Sequence, residues 1–441
     1  MDAATILQLK PELNGFLSMF NDCFGRVTTR RYLDVYVEGQ LGPLPRKSVE
    51  PIADAAGEPP RNLQQFLGVF RWDHDAVRNL LQRDVASKHG DANSVGEIDE
   101  TTYVKKGDKT AGVQHQYCGA VGKQENCVMS VHLGYSTPDG FRCLLDGELY
   151  LPKETWHEDR ERCQEAGIPD DYVYRPKWQM ALDQLSRASA NGVRMAWVTF
   201  DEAYGRVGEF HRTLDQRGQN YVGEIPTNTA VWTGLPKVLY RAHARDKQAA
   251  DRKRNGLKVK NNPRVEVRNI LKYSTTMRRE PWVSYRVKDG TKGPMVWEAK
   301  RIMVWPADAD GMPGAPHHLL VARNVLNRKE VKFFLSNAPP ETRVQTLLLV
   351  AFSRWNIERA FEDSKEELGM DHFEARQFTA IQRHLILTCV SYLFLAKFRQ
   401  KHEVEKKHAD DSPVAGRHGT TGADMDPWGP LFTKDGTGHQ Q

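Results

Sequence analysis

The spacing of apolar residues changes three times along the chain. Over residues 1–92, apolar positions recur at helical intervals, and proline-containing breaks at 42–45 and 59–60 separate the helices that they predict. The basic residues of this part are offset by about as many acidic ones. Two interpretations therefore stay open, a small helical DNA-binding domain and a plain helical scaffold.

A strand pattern begins at residue 95. Residues 127–135 and 141–151 alternate apolar and polar side chains on either side of a Pro-Asp-Gly turn, which predicts a β-hairpin. A helix is expected at 176–190. Residues 193–200 form an almost continuous apolar run, which is typical of a strand covered on both faces within a central mixed sheet.

Residues 225–338 break this alternation of helix and strand. We interpret them as a mostly β insertion with strands predicted at 265–270, 281–287, 296–304 and 318–325. Helical periodicity resumes at 342–368 and 380–402. The last residues, 403–441, are rich in Gly, His, Asp and Lys and are predicted to be disordered.

Together these patterns predict an α/β protein of several domains. We place a helical domain at 1–92 and a mixed-sheet core in two parts, 93–224 and 339–402. The β insertion at 225–338 separates the two parts of the core, and the tail at 403–441 follows it.

Charge is distributed unevenly. Between Lys237 and Arg301 there are 19 Lys and Arg against six Asp and Glu, a local net charge of +13, so the rest of the chain carries −8 of the total +5. A basic segment on an acidic remainder favours a module that binds a polyanion such as nucleic acid. A solvated basic loop is the alternative.

Several classes of protein are excluded by composition. The six cysteines are scattered, with no C-x-x-C pair, which argues against a structural zinc site or a disulfide framework and suits a reducing cytoplasm. No secretory signal is recognisable at the N-terminus. The most apolar stretch, residues 385–396, is too short to span a bilayer and is expected to be a buried core helix.

Three carboxylates carry the candidate chemistry: Asp99 in a predicted strand, Asp201 directly after the buried strand, and Glu358 on a predicted helix. On that helix Arg354 and Lys365 share the face of Glu358 by their spacing. A solvated charged stripe would give the same spacing. Glu97 and Glu100 lie close to Asp99 in the sequence and are the alternatives to it as the first ligand. Glu100 and Glu202 each directly follow a proposed ligand, and we interpret both as non-ligands because neighbouring strand residues face opposite sides.

Such a set suits phosphodiester chemistry. Cleavage or transfer must stabilise charge on the attacking and the leaving oxygen, and two divalent ions about 4 Å apart can do both. Hard cations such as Mg²⁺ take oxygen ligands, so carboxylates from different elements must converge. The sequence has no G-x-S-x-G or other nucleophile motif. We therefore expect water or a DNA 3′-hydroxyl to attack.

The C-terminal string resembles the signature Y-x2-R-x3-E-x6-K of DDE transposases from bacterial insertion sequences. Arg354, Glu358 and Lys365 match its R, E and K. Two further strings resemble the family, Ile98-Asp99-Glu100-Thr101 with Lys105-Lys106-Gly107, and Phe200-Asp201-Glu202-Ala203-Tyr204-Gly205. The signature's Tyr falls on Ala351, which cannot make the phosphate contact expected of a phenol.

The resemblance implies an RNase H-like mixed-sheet catalytic core in which Asp99, Asp201 and Glu358 bind two Mg²⁺ ions, with Mn²⁺ as a substitute. It also implies a β insertion that lies along the transposon end. The candidate DNA contacts are the cations that flank Glu358, the aromatic residues able to hold a flipped base, and three basic residues of the insertion: Arg354, Lys365, Trp282, Trp297, Lys288, Lys292 and Arg301. For both Trp residues core packing is the alternative.

The function that follows is that of a metal-dependent DNA transposase and endonuclease of a bacterial cytoplasm, associated with the nucleoid. It would bind terminal inverted repeats of double-stranded DNA as a homodimer, nick the ends and join them to target DNA. Two alternatives remain. One is a transposase-derived DNA-binding protein that no longer cuts, and the other is a structure-selective nuclease on the same core.

Overall fold

The structure is a computed structural model that describes residues 3–239, 256–259, 262–290 and 293–410. The mixed α/β fold predicted from the sequence is confirmed. The α-helices of these residues are α1 (Ala3–Ser18), α2 (Val27–Leu41), α3 (Val49–Ala55), α4 (Pro60–Gly68), α5 (His74–Lys88), α6 (Arg160–Glu165), α7 (Lys177–Ala190), α8 (Glu202–Gly205), α9 (Gly208–Gln216), α10 (Val267–Tyr273), α11 (Thr275–Arg279), α12 (Val344–Ser353), α13 (Trp355–Leu368) and α14 (Phe378–Asp410). The strands are β1 (Val95–Val104), β2 (Gln114–Cys118), β3 (Lys123–Ser136), β4 (Arg142–Leu149), β5 (Trp197–Phe200), β6 (Tyr221–Glu224), β7 (Ala230–Val231), β8 (Val238–Leu239), β9 (Gly256–Leu257), β10 (Val265–Glu266), β11 (Val283–Gly290), β12 (Gly293–Val304), β13 (His317–Asn324) and β14 (Val331–Ser336).

The N-terminal part is helical, as predicted, and it packs against the long helix α14. The hydroxyl of Tyr36 on α2 lies 2.8 Å from Nδ1 of His384, and the amide of Gln40 donates to Thr388 at 3.0 Å. Arg383 donates to the backbone carbonyls at the end of α4. These buried polar contacts fix α2 and α4 on the face of α14.

One large sheet organises the molecule, with the strand order β11-β12-β13-β14-β6-β5-β1-β3-β2 and β4 paired with β3. The predicted hairpin is confirmed as the antiparallel pair β3–β4. Strands β5 and β6 run parallel to β1, which makes the sheet mixed. The buried strand starts at Trp197, later than the apolar run beginning at 193 predicts, because Trp197 pairs with Val95, the first residue of β1.

The strands of the segment 225–338 extend this same sheet, since β14 pairs with β6. The strands predicted at 281–325 are confirmed as β11, β12 and β13. The strand predicted at 265–270 is wrong beyond its first two residues, because α10 begins at Val267. Val267 and Ile270 are buried together with Met277, and their spacing of three places both on the inner face of a helix.

The predicted helix 342–368 is two helices, α12 and α13, with Arg354 at the break between them. Helix α12 is mostly apolar, whereas α13 carries the charged residues. Helix α13 ends at Leu368, and the next residue, Gly369, terminates it in the left-handed conformation with a φ of 66°. On the sheet α13 contacts β1, β3 and β4.

Helix α14 is a core helix, as the sequence predicts for its apolar stretch. Within the described ranges, Phe378–His402 is long and apolar enough to cross a membrane, but 78% of its most apolar window is buried inside the protein. Residues 403–410, which composition assigns to a disordered tail, are its last turns, and the remainder of that tail lies outside the described residues. All six cysteines are free and buried.

Candidate active site

Asp99 and Asp201 lie next to each other because their strands are parallel and in register. The last pair between β1 and β5 is Ile98 with Phe200, and each aspartate follows its member of that pair directly. Neighbouring strands are about 4.8 Å apart, so Asp99 within β1 and Asp201 at the end of β5 lie side by side. This proximity raises the pKa of Asp99 further, in addition to the larger effect of burial.

The position of Asp201 is fixed by the short helix that follows it. Its Oδ1 accepts hydrogen bonds from the backbone amides of Ala203 at 2.9 Å and Tyr204 at 3.3 Å, so the aspartate is the N-cap of α8. Helix α8 lies against the end of β6, and a Cβ at Gly205 would stand 1.7 Å from the carbonyl oxygen of Glu224. Glycine is therefore required at this position of the Asp-Glu-Ala-Tyr-Gly string.

Asp99 is almost buried, with 12% of its side chain exposed. Its Oδ1 accepts from the amide of Glu100 at 2.8 Å, and its Oδ2 accepts from Nη1 of Arg354 at 2.7 Å. Burial raises the pKa of Asp99 to about 7, with the Arg354 guanidinium acting in the opposite direction and Asp201 in the same one. A neighbouring cation is therefore needed to keep the Asp99 carboxyl group ionised.

Glu358 lies on α13 and pairs with the same arginine, Arg354. Nη2 of Arg354 lies 2.7 Å from Oε1 of Glu358, one helical turn along, and 46% of the Glu358 side chain is exposed. Burial acts to lower the pKa of Arg354, but Asp99, Glu358 and Asp201 outweigh it and raise that pKa above its usual value. One guanidinium thus joins a strand carboxylate to a helix carboxylate.

The sequence assigns Glu97 no role except as an alternative to Asp99. Glu97 is buried and accepts a hydrogen bond from Ser136, which in turn accepts one from Asn356 at 3.1 Å. The chain of contacts ties the first turn of α13 to β1 and β3. The available signal was its spacing, because residues two apart on a strand share a face and Glu97 lies behind Asp99.

The acids adjacent to the proposed ligands have other partners. Glu100 pairs with Lys177 of α7, on the face of β1 opposite to Asp99. Glu202 pairs with Arg206 at 3.3 Å on the exposed side of α8. These pairings favour the interpretation of both as non-ligands.

Lys365 and Lys105 hold the segments that flank the site. Lys365 is in the last turn of α13, and its Nζ donates to the carbonyl oxygen of Thr102 at 3.3 Å. Burial lowers the pKa of Lys365. Lys105 follows β1 and donates to the carbonyl oxygen of Phe373 at 2.6 Å, with its Nζ 3.4 Å from that ring. Burial lowers the pKa of Lys105 to about 8.

The two candidate tryptophans of the insertion differ in exposure. Trp297 is 2% exposed and packs on Phe352 with ring centroids 4.7 Å apart, which favours core packing, and its contact with DNA stays a prediction. Trp282 is partly exposed, and the cations of Lys300 and Arg323 lie 4.9 and 4.0 Å from its ring centroid. Its role in DNA binding stays a prediction.

The basic candidates of the insertion are placed unevenly. Arg301 on β12 donates to the carbonyl oxygens of Pro340 and Thr342, ahead of α12. Lys292 lies outside the described residues, and Lys288 is in β11 but its side chain lies outside them. The phosphate contacts expected of these three residues stay predictions.

Ala351, at the signature's Tyr position, is 5% exposed and packs in the cluster beneath α12. A phenol at this position would have to displace neighbouring apolar side chains. Alanine in place of the signature's tyrosine therefore fits the apolar packing around this position.

The donor set of the site fits a divalent cation. Asp99, Asp201 and Glu358 offer only carboxylate oxygens, the ligands that hard cations prefer. Two of these groups already share one positive partner. Among the described residues, however, no three His, Cys, Asp or Glu side chains are arranged to hold a metal ion as they stand.

Comparison with known proteins shows the family of this chain. The family model of the DDE superfamily endonucleases matches residues 19–294, a region that contains Asp99 and Asp201 and ends before Glu358. Over 215 residues the chain is 31% identical to a protein described as the probable transposase for insertion sequence element IS701 of Microchaete diplosiphon. That alignment covers 48% of this chain and 51% of the relative, so the chain spans about half the length of this relative. Because the family model covers more than half of its residues, the chain belongs to the DDE superfamily endonucleases.

Proposed function

We propose that this protein is a transposase that binds the terminal inverted repeats of a mobile element, cleaves the DNA strand at each end and joins it to target DNA. The observation that carries the proposal is that Arg354 joins Asp99 on a strand to Glu358 on a helix, with Asp201 on the adjacent parallel strand. Family membership and the similarity to a probable transposase support it.

Metal dependence is part of the proposal. Asp99, Asp201 and Glu358 would hold two Mg²⁺ ions, with Mn²⁺ as a substitute, and the bound ions would neutralise charge on the attacking and leaving oxygens. The protein itself contributes position, since Asp201 is fixed as a helix cap and Asp99 by its strand. No side chain is needed as a nucleophile, because water or a DNA 3′-hydroxyl attacks phosphorus.

The remaining charges suit a DNA duplex. Arg354, directly before α13, and Lys365, on α13, lie on either side of Glu358, where a phosphate backbone would pass. The net charge of +13 between Lys237 and Arg301 would attract the same polyanion, and Trp282 offers a partly exposed ring within that segment. We further propose that two copies act together on the DNA, in the cytoplasm at the nucleoid.

A second candidate is a transposase-derived protein that binds DNA without cutting it. Ala351 favours this reading, because its buried methyl group replaces the phenol that the signature assigns to phosphate binding. The three carboxylates and Lys365 favour the active enzyme, since a binding protein needs none of the acids.

The experiment is strand cleavage and transfer on linear DNA that carries the inverted repeats flanking the gene. With Mg²⁺ the full chain should nick these ends and produce joined product, and scrambled ends should compete poorly. Asp201→Ala should bind the ends and yield neither product. Unchanged cleavage by Asp201→Ala would reject the mechanism, whereas binding without any cleavage by the natural chain would favour the second candidate.

A further inference from the structure

Arg354 occupies an unusual position for a residue expected to contact DNA. It lies at the break between α12 and α13, with φ −49° and ψ −30°, and its side chain points into the acidic site. Only 15% of the side chain is exposed. Its guanidinium is therefore directed at the protein's own carboxylates.

Both terminal nitrogens of Arg354 are engaged. Nη1 donates to Oδ2 of Asp99 and Nη2 pairs with Oε1 of Glu358, each at 2.7 Å. Asp201 and Glu224 add negative charge nearby. A single internal cation is thus surrounded by the carboxylates that the proposed function assigns to metal ions.

The oxygens that bind Arg354 are among those that a metal ion would need. A guanidinium and a hard dication both bind carboxylate lone pairs, so the two cations cannot use the same oxygen in the same way. A metal ion that binds Oδ2 of Asp99 and Oε1 of Glu358 therefore competes with the guanidinium for these two oxygens.

We propose that Arg354 is an internal cation that competes with divalent metal for Asp99 and Glu358, and that a DNA backbone phosphate releases it. Without DNA the guanidinium balances the buried charge and keeps metal affinity low. A phosphate offers it the same bidentate partner geometry as a carboxylate. DNA binding and metal binding then favour each other, and by linkage the effect is reciprocal.

This inference rests on the proposed metal site, and direct binding of Mn²⁺ to the full chain tests it. Titration of the free protein, followed by electron paramagnetic resonance, gives the Mn²⁺ affinity without any measurement of catalysis. Arg354→Gln should bind Mn²⁺ at least about tenfold more tightly than the natural chain, equivalent to about 1.4 kcal/mol. Arg359→Gln is the matched control, because Arg359 is exposed on the same helix and pairs with Glu362 and Asp363.

Whether Mn²⁺ affinity rises or falls in Arg354→Gln shows whether Arg354 competes with the metal ion or only positions the two acids. If Arg354 only holds the two acids together, Arg354→Gln will weaken Mn²⁺ binding, and an unchanged or weaker affinity overturns the inference. Should Arg354→Gln fail to fold, Arg354→Lys supplies the test. Lysine keeps the charge but has a single head group that cannot bridge both acids as a fork does, so Mn²⁺ affinity should rise above that of the natural chain.

A DNA arm tests the release step. Adding a short duplex should tighten Mn²⁺ binding to the natural chain and leave Arg354→Gln nearly unchanged, and equal tightening in both would overturn the release. Glu358→Gln separates this inference from the proposed function. If Glu358→Gln binds Mn²⁺ as the natural chain does, the metal site itself is wrong, whereas loss of binding in Glu358→Gln without tightening in Arg354→Gln rejects only the competition.

Discussion

Replacing Gly205 by alanine tests whether the close packing of α8 on β6 sets the position of Asp201. An added Cβ would stand 1.7 Å from the carbonyl oxygen of Glu224 and 2.9 Å from its carbonyl carbon. Real Cβ contacts essentially never fall below 3.0 Å, so one of the two backbones must move by about 1.3 Å. Neither neighbour is a flexible side chain that could yield instead.

The displacement passes directly to the site because Asp201 caps the same helix. Overpacking of this kind costs about 1–3 kcal/mol of unfolding free energy. A misplacement of about 1 Å at a catalytic group can lower the rate about a hundredfold. We therefore expect Gly205→Ala to lose stability moderately and DNA cleavage almost completely.

The assay measures the cleavage rate at saturating Mg²⁺, at a temperature where circular dichroism shows the variant to be folded. Gly25→Ala is the control, because a Cβ there meets nothing within 4 Å and its stability should change by less than about 0.5 kcal/mol. A folded Gly205→Ala that cleaves at the natural rate would refute the claim that this contact positions Asp201.

Further predictions concern packing, protonation and DNA binding. Asn356→Ala removes the link to Ser136 and should lower cleavage with a loss of about 1 kcal/mol in stability, and an unchanged rate would show that the link does not orient α13. Burial lowers the pKa of His384 in the folded protein to about 4. As the pH falls below about 6.5, His384 therefore takes up a proton in the unfolded chain before it does so in the folded protein, and the free energy of unfolding should decrease between pH 6.5 and pH 4. Chemical denaturation at pH 7 and 5 should show a loss about 2 kcal/mol smaller in His384→Gln, and equal losses would speak against a neutral buried His384. Trp297→Ala should cost about 3–5 kcal/mol in thermal or chemical denaturation, whereas Trp282→Ala should weaken DNA binding in a gel-shift assay at nearly unchanged stability. The opposite pattern would reverse their assignments.

Local sequence pattern predicted the elements that carry the carboxylates. Alternation and the Pro-Asp-Gly turn identify β3 and β4, and the apolar run before Asp201 identifies β5. Local patterns suffice here because the faces of a strand that are buried determine which of its own residues are apolar. The placement of Asp99 beside Asp201 could not be derived in the same way. It follows from the parallel register of β1 and β5, which depends on contacts between residues about a hundred positions apart in the chain.

The break at Arg354 was also beyond the sequence pattern. No Gly or Pro marks it, and helical periodicity continues across it, so a single helix is the natural expectation. The side chain at the break binds Asp99, 255 positions away. The strand predicted at 265–270 failed for a similar reason, since β-branched Val267 and Ile270 favour a strand locally but are buried on one face of a helix.

The central claim is that Glu358, together with the two aspartates, carries the chemistry. The most direct measurement compares Mg²⁺-dependent strand cleavage by Glu358→Gln and Glu362→Gln, two exposed acids one turn apart on α13, of which Glu362 pairs with Arg359 at 3.1 Å. Both substitutions remove one negative charge from the same helix. Glu358→Gln should lose at least about a hundredfold in rate, the order expected when a charge-stabilising group is removed from a catalytic site, while Glu362→Gln should cleave at close to the natural rate. Equal rates in the two variants would contradict the account.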